Sequence, residues 1–255
     1  MNASLLIARK DLCLFFRAPL GYLVLACFLL VSGYFFVASV SYYELVSIQL
    51  MQNPQLADFT PTEMVLAPYL QNAGVILLFF LPLLTMRGFA EEKRSGAFEL
   101  LVSYPVSEAQ LVGGKLLALG VFLLAMLAAS AVGPLLLFLV STPEPLPALV
   151  GYGGLFLMVT AFASLGLFLS TLTENQIVSA ALSFAALLVL WLLSWIKDAV
   201  PAAVAPVVDG LSPLAHYASF TRGVLDLADV VYFATFILAF FWLAVLSLEN
   251  QRSGR

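Results

Sequence analysis

The sequence predicts an all-α membrane protein with six transmembrane helices, and three observations carry that prediction. The chain has 255 residues, 62% of them hydrophobic and 10% charged, whereas soluble domains carry about 25% charged residues. Its mean hydropathy is +1.03, so polar surface cannot cover it in water and lipid must be its solvent. Six runs are long and apolar enough to cross a hydrocarbon layer. They lie at about residues 20–40, 68–86, 116–140, 149–172, 177–196 and 230–248. The runs are apolar all round and lack period-two alternation, which excludes a membrane β-barrel. No stretch between them is long enough for a soluble domain, so 1–255 reads as a single transmembrane domain.

The elements follow in chain order. In residues 2–16, Leu5, Leu6, Ala8, Leu12, Phe15 and Phe16 alternate with Arg9, Lys10 and Asp11, and Arg17 follows. This pattern suits an amphipathic helix at the membrane face, serving as an anchor or as a contact for a partner. No small-residue cleavage site follows the first run, so that run reads as a retained span. Pro19 suits its first turn. Residues 41–69 form a polar external segment. Within it Thr60, Pro61, Thr62 and Glu63 read as a capping box opening a short helix that leads into span two. Span two is the weakest run and is extended back through 68–70. Ser107 with Gln110 forms a second box, before span three. Thr173 through Gln176 forms a third, making spans four and five an antiparallel hairpin. Pro82 and Pro134 should kink spans two and three. Small residues recur at helical spacing at Ala125, Ala129 and Gly133, at Gly166 and Ser170, and at Ser179 and Ser183, which permits close helix contact.

Positive charge gives the orientation. With six spans, Arg9, Lys10, Arg17, Arg87, Lys93, Arg94, Lys115, Arg252 and Arg255 share one side, and only Lys197 and Arg222 take the other. The asymmetry places both termini in the cytoplasm.

Catalytic chemistry finds no foothold. His216 is the single histidine, no metal-ligand spacing occurs, and Gly-x-Ser-x-Gly is absent. Gly113-Gly114-Lys115-Leu116 fails as a phosphate loop, because Ala109 replaces the first glycine and Leu116 the magnesium-binding hydroxyl. Ionisable residues are missing from the centres of the spans, which argues against a proton pump or ion-coupled carrier. A net charge of −4 is no nucleic-acid footprint. Cys13 and Cys27 read as inert thiols.

Two loops stand out. In 87–107, Phe89, Phe98, Leu101 and Val102 form an apolar stripe beside Glu91, Glu92 and Lys93, with Arg94, Ser95, Gly96 and Glu99 interspersed. The stripe suits a short amphipathic helix that either docks a cytoplasmic partner or simply forms a solvated loop fixing topology. In 209–229, Ser212-Pro213 reads as a helix start and Gly223 as a helix end or turn. A pair of short helices dipping into the outer face is expected. His216 and Arg222 there serve either an exit path or ordinary interfacial anchoring.

The residues Leu81-Pro82-Leu83-Leu84-Thr85-Met86-Arg87, Phe89 through Gly96, Glu99-Leu100-Leu101, Pro105-Val106-Ser107 and Gly114-Lys115 resemble the permeases of type-2 ABC exporters. Leu211-Ser212-Pro213, Phe220 and Arg222-Gly223-Val224-Leu225-Asp226 resemble the gliding-motility-type subgroup. The resemblance implies a six-helix, ABCG-like permease fold with an N-terminal connecting helix at 2–16 and a coupling helix at about 91–101. It also implies a re-entrant pair at 212–229, including Ser212, Pro213, His216, Arg222 and Asp226. The expected docking residues are Glu91, Glu92, Lys93, Arg94, Ser95, Gly96, Phe98, Glu99 and Leu101, with Arg9, Lys10 and Arg17 on the interfacial helix. The chain would bind no cofactor and would not be an enzyme. ATP and magnesium would sit on a separate ABC ATPase subunit. Further expected partners are a second or homologous permease, membrane lipid, and a periplasmic or membrane auxiliary subunit touching 41–69; nucleic acid is not expected. The expected location is the bacterial inner membrane. A mechanical membrane scaffold that moves no substrate is the alternative function, while an intramembrane enzyme lacks any acid–base or metal constellation.

Overall fold

In a computed structural model, the structure describes residues 3–52, 62–99, 106–140, 145–196, 200–201 and 204–253. The helices are α1 (Ala3–Arg17), α2 (Pro19–Gln52), α3 (Ala67–Thr85), α4 (Ala90–Arg94), α5 (Glu108–Ser130), α6 (Val132–Val140), α7 (Pro145–Thr171), α8 (Gln176–Ile196), α9 (Ala205–Leu211), α10 (Pro213–Thr221) and α11 (Leu227–Ser253). A π-helical turn, Thr62–Leu66, leads directly into α3. No strand occurs among the described residues. Six helical stretches there are long and apolar enough to cross a membrane: Pro19–Ile48, Thr62–Arg94, Glu108–Phe138, Pro145–Thr171, Gln176–Ile196 and Leu227–Arg252. The all-α, six-span expectation therefore holds, including the second span, whose apolar run was the shortest.

The spans divide into a core and a shell. The most apolar windows of α3 and α7 are 61% and 67% buried, against 22%, 17% and 17% for α2, α8 and α11. Glycine lets the two core helices and their neighbours approach closely. A Cβ on Gly166 would stand 2.4 Å from Thr85 Oγ1, and one on Gly154 would stand 2.3 Å from the Phe220 ring. Gly133 faces Phe36 in the same way, at 3.1 Å. Ser179 and Ser183 of α8 are fully buried. Small residues thus serve packing within the chain at these sites; Ala125 is exposed.

Pro134 breaks the third span at Ala131, between α5 and α6. Lacking an N–H, it cannot bond the carbonyl of Ser130, four residues earlier. The Tyr69 hydroxyl donates to that carbonyl instead, at 3.1 Å, and the Tyr152 hydroxyl lies 3.5 Å from both Tyr69 Oη and Ser130 Oγ. In contrast α3 continues through Pro82.

Local signals resolve unevenly. The Ser107–Gln110 capping box forms reciprocally, both bonds at 3.3 Å. The third box does not: Asn175 caps α8 by accepting from Ile177 N at 2.9 Å, while Thr173 Oγ1 accepts from Asn175 N. Thr60 and Pro61 of the remaining box lie outside the described residues. Span one continues as helix to Gln52, so the first part of the segment 41–69 is helical. Span three begins at Glu108, before its apolar run. The N-terminal helix also differs from an isolated interfacial element. Ile7 meets Gly114, and Phe15 stacks on Phe122 at 5.1 Å. α1 therefore runs parallel to α5 and is clamped along it.

Replacing Tyr69 by Phe should lower the thermal midpoint by the equivalent of about 1 kcal/mol. The loss should shrink in a Pro134→Ala background, where a restored N–H satisfies Ser130; unfolding of the four variants in detergent measures this coupling.

Candidate functional site

The end of the bundle carrying both termini is tied together by charged side chains. Lys115, one turn into the apolar part of α5, is 4% exposed. A buried ammonium is costly unless it is paired. Its Nζ donates to Asp11 Oδ2 of α1 at 3.0 Å and lies 2.9 Å from Glu92 Oε1 of α4. It also sits 5.1 Å over the Phe89 ring. Lys10 Nζ donates to the same Glu92 oxygen at 2.9 Å and lies 3.6 Å from Asp11 Oδ1. Two ammonium groups and two carboxylates thus hold α1, α4 and α5 in one register. Burial works against the Lys10 ammonium, but the Glu92 hydrogen bond, with the Glu92 and Asp11 charges, outweighs it and the pKa is raised. A raised lysine contributes its full stability at neutral pH and loses it only as pH climbs past the usual lysine range.

A second set of bonds ties α4 to the other side of the bundle. Lys93 Nζ donates to the Thr171 carbonyl at the end of α7 and to Gln251 Oε1 of α11 at 2.5 Å. Gln251 Nε2 donates to the same carbonyl at 2.9 Å, and Thr171 Oγ1 donates to Ser247 Oγ at 2.9 Å. Arg252 Nη1 of α11 donates to Glu108 Oε1 at the start of α5, at 2.7 Å. The five-residue α4 is therefore fixed to α1, α5, α7 and α11.

The expected docking residues divide accordingly. Glu92, Lys93 and Phe98 are turned into the chain; Phe98 is 7% exposed, with Lys93 Nζ 5.5 Å over its ring. Glu91, Arg94, Ser95, Gly96 and Glu99 are exposed. Gly96 has φ +73°, a left-handed value that favours glycine and lets the chain turn out of α4. Leu101 lies outside the described residues. On α1, Arg9, Lys10 and Arg17 are exposed, Lys10 within the ion cluster. The reading by sequence missed Asp11 and Lys115 as site residues. The available signal was a lone acid on an amphipathic helix and a lone lysine against an apolar run.

At the opposite end, Ser212 caps α10 by accepting from Ala215 N at 3.4 Å, with Pro213 in the first turn. Gly223, φ +75°, follows the end of that helix, and Asp226 accepts from Ala228 N at the start of α11. His216 Nδ1 lies 2.6 Å from Asp229 Oδ1, and Nε2 lies 3.1 Å from the Gly210 carbonyl. Its ring stacks on Tyr232 at 4.0 Å. His216 thereby ties α9, α10 and α11 together. Arg222 is exposed at the end of α10. No group of metal-holding side chains occurs among the described residues.

Lys115→Met leaves Asp11 and Glu92 to share the exposed Lys10 ammonium and should cost about 3 kcal/mol. Adding Glu92→Gln should recover part of that loss, which a comparison of thermal midpoints for the single and double variants tests.

A family model described as ABC-2 family transporter protein matches residues 42–248. No curated protein matches the chain.

Proposed function

The chain belongs to the ABC-2 family of transporter proteins, and from that premise we propose that its α1–α4–α5 junction receives movement from a separate ATPase subunit and passes it to the spans. The chain itself is the permease component of an ABC transporter, a multi-pass membrane protein. The observation that carries the proposal is the two-sided construction of α4. Its inner side is bonded to four helices through Glu92 and Lys93, while Arg94 and Ser95 face outward. A short helix gripped by a partner on one side and fixed to the bundle on the other transmits force without first deforming.

The proposal includes ATP and magnesium on the partner ATPase, a second or homologous permease, and both termini in the cytoplasm of a bacterial cell, at its inner membrane. The charge asymmetry supports that orientation. The likeness of 211–226 to gliding-type permeases supports an auxiliary subunit on the far side.

Mechanical work on such a subunit, with nothing crossing the bilayer, is favoured by a specific observation. Away from their ends, the described spans bury hydroxyl side chains but no charged ones. A continuous polar cavity at the seam of the assembled complex would favour export, and a dry seam in every nucleotide state would favour mechanical work.

The chain should co-purify with an ABC ATPase, and Arg94→Glu should lower ATPase activity in the complex about tenfold or abolish co-purification. Arg94→Glu should leave thermal stability unchanged, because Arg94 makes no bond within the bundle among the described residues. Full coupling in that variant would remove the docking face.

A further inference from the structure

Beside the ion cluster lies a partly open cavity of about 270 Å³, bordered by α1, the start of α2, the chain between α3 and α4, α4 itself and Lys115 of α5. Its volume suits a small polar group rather than a drug-sized molecule. One wall is apolar, formed by Leu14, Phe15, Ala18 and Leu20. The other carries charge. Gly21 lies in the corner between α1 and α2, where a Cβ would stand 2.0 Å from the Phe15 carbonyl oxygen. The cavity therefore sits at the start of the first apolar span.

The charges on the polar wall differ in how firmly they are held. Lys10, Lys115, Asp11 and Glu92 neutralise one another at 2.9 to 3.0 Å. Arg87 and Glu91 remain. Arg87 Nε lies 3.7 Å from Glu91 Oε2, beyond hydrogen-bond reach, and Nε is buried with no hydrogen bond among the described residues. Their side chains are 37% and 50% exposed. The cavity thus offers one guanidinium and one carboxylate, loosely paired, beside an apolar wall at the start of the first span.

From this arrangement we infer that the cavity binds the headgroup of a zwitterionic phospholipid bearing a protonated primary amine. The phosphate takes the Arg87 guanidinium, whose planar donors suit phosphate oxygens. The ammonium takes Glu91, and an acyl chain lies along Leu14 and Leu20. Charge complementarity selects this occupant. A lipid with a net negative charge would bring uncompensated charge towards Glu91 and Glu92. A trimethylammonium headgroup carries no N–H to donate to Glu91. Bound there, the lipid bridges α1 and the segment leading into α4, adding a bond between the two elements that the ion cluster joins. The inference goes beyond the transport reading and needs no ATPase to test it.

The test is native mass spectrometry of the full chain in detergent, supplied with equal phosphatidylethanolamine, phosphatidylglycerol and phosphatidylcholine. The wild-type chain should retain one phosphatidylethanolamine about tenfold over phosphatidylcholine, the size of one charge-assisted hydrogen bond. Glu91→Gln should lower that ratio severalfold, because the amide oxygen still accepts the ammonium N–H but without charge assistance, while phospholipid is still retained. Arg87→Gln should lose all three lipids about tenfold, and the outward Arg94→Gln should behave as wild type. Excess soluble phosphoethanolamine should not displace the lipid. Equal or greater retention of phosphatidylglycerol by the wild type would overturn the inference. So would an unchanged ratio in Glu91→Gln, or displacement by the soluble headgroup. If Arg87→Gln fails to fold, the exposed Glu91→Gln variant decides alone.

Discussion

An ammonium buried against an apolar run must be neutralised in place, and the end of this bundle is arranged around that requirement. Lys115 is 4% exposed and too deep to be solvated, so carboxylates must be brought to it. One comes from α1 and the other from α4, elements far apart in sequence. A buried ion pair contributes little net stability over apolar packing, but breaking it is expensive, so it acts mainly to exclude other arrangements. Any sliding of α1 along α5, or rotation of α4, would separate Asp11 or Glu92 from Lys115. The close contact of Gly114 with Ile7 and the Phe15–Phe122 stack fix the same register by shape. Charge and packing therefore agree, and neither has to strain the other.

The rest of the molecule extends from this junction. Lys93 and Arg252 carry the bonding across to α7 and α11, so the core helix α7 and the shell helix α11 end on the same network. Farther up the bundle, separate polar ties join the helices. Tyr69 holds the carbonyl that Pro134 leaves open. His216 holds the short helices at the far end against α11. Between these places large apolar side chains fill the core, and glycine and serine let the helices approach closely, as expected where apolar surface gains nothing by leaving lipid.

Much of the fold was legible in the sequence because lipid imposes a strong rule. Six apolar runs predict six spans, and caps such as Ser107 and Ser212 are read from a few neighbouring residues. Helix ends were less legible. The first span continues past Val40 because Tyr42, Tyr43 and Glu44 are tolerated in a helix that has left the apolar layer. Asn175 displaced Thr173 as a cap because both are good acceptors and tertiary placement of the turn chooses between them. The candidate site was legible only as a location. α4 has five residues, too few for periodicity to say which side faces inward. Glu92 and Lys93 are adjacent in sequence, yet each turned to a different buried partner, and those partners lie in α1, α5, α7 and α11. Asp11 and Lys115 were visible as isolated charges, but only the fold shows that they meet.

If the junction transmits force, α1 and α4 must move as one body while the far end moves relative to them. Spin labels at Arg9→Cys and Ala97→Cys, just past α4 and outside the proposed docking face, with Cys13 and Cys27 replaced by Ser, measure this by double electron–electron resonance in the complex assembled with its ATPase. A second pair, Ala97→Cys with Val224→Cys, reports on the far end. The account predicts that the distance between labels at 9 and 97 stays constant across nucleotide states while the distance between 97 and 224 changes. A shift of the first distance by roughly 5 Å, one helical turn, with the second unchanged, would contradict it.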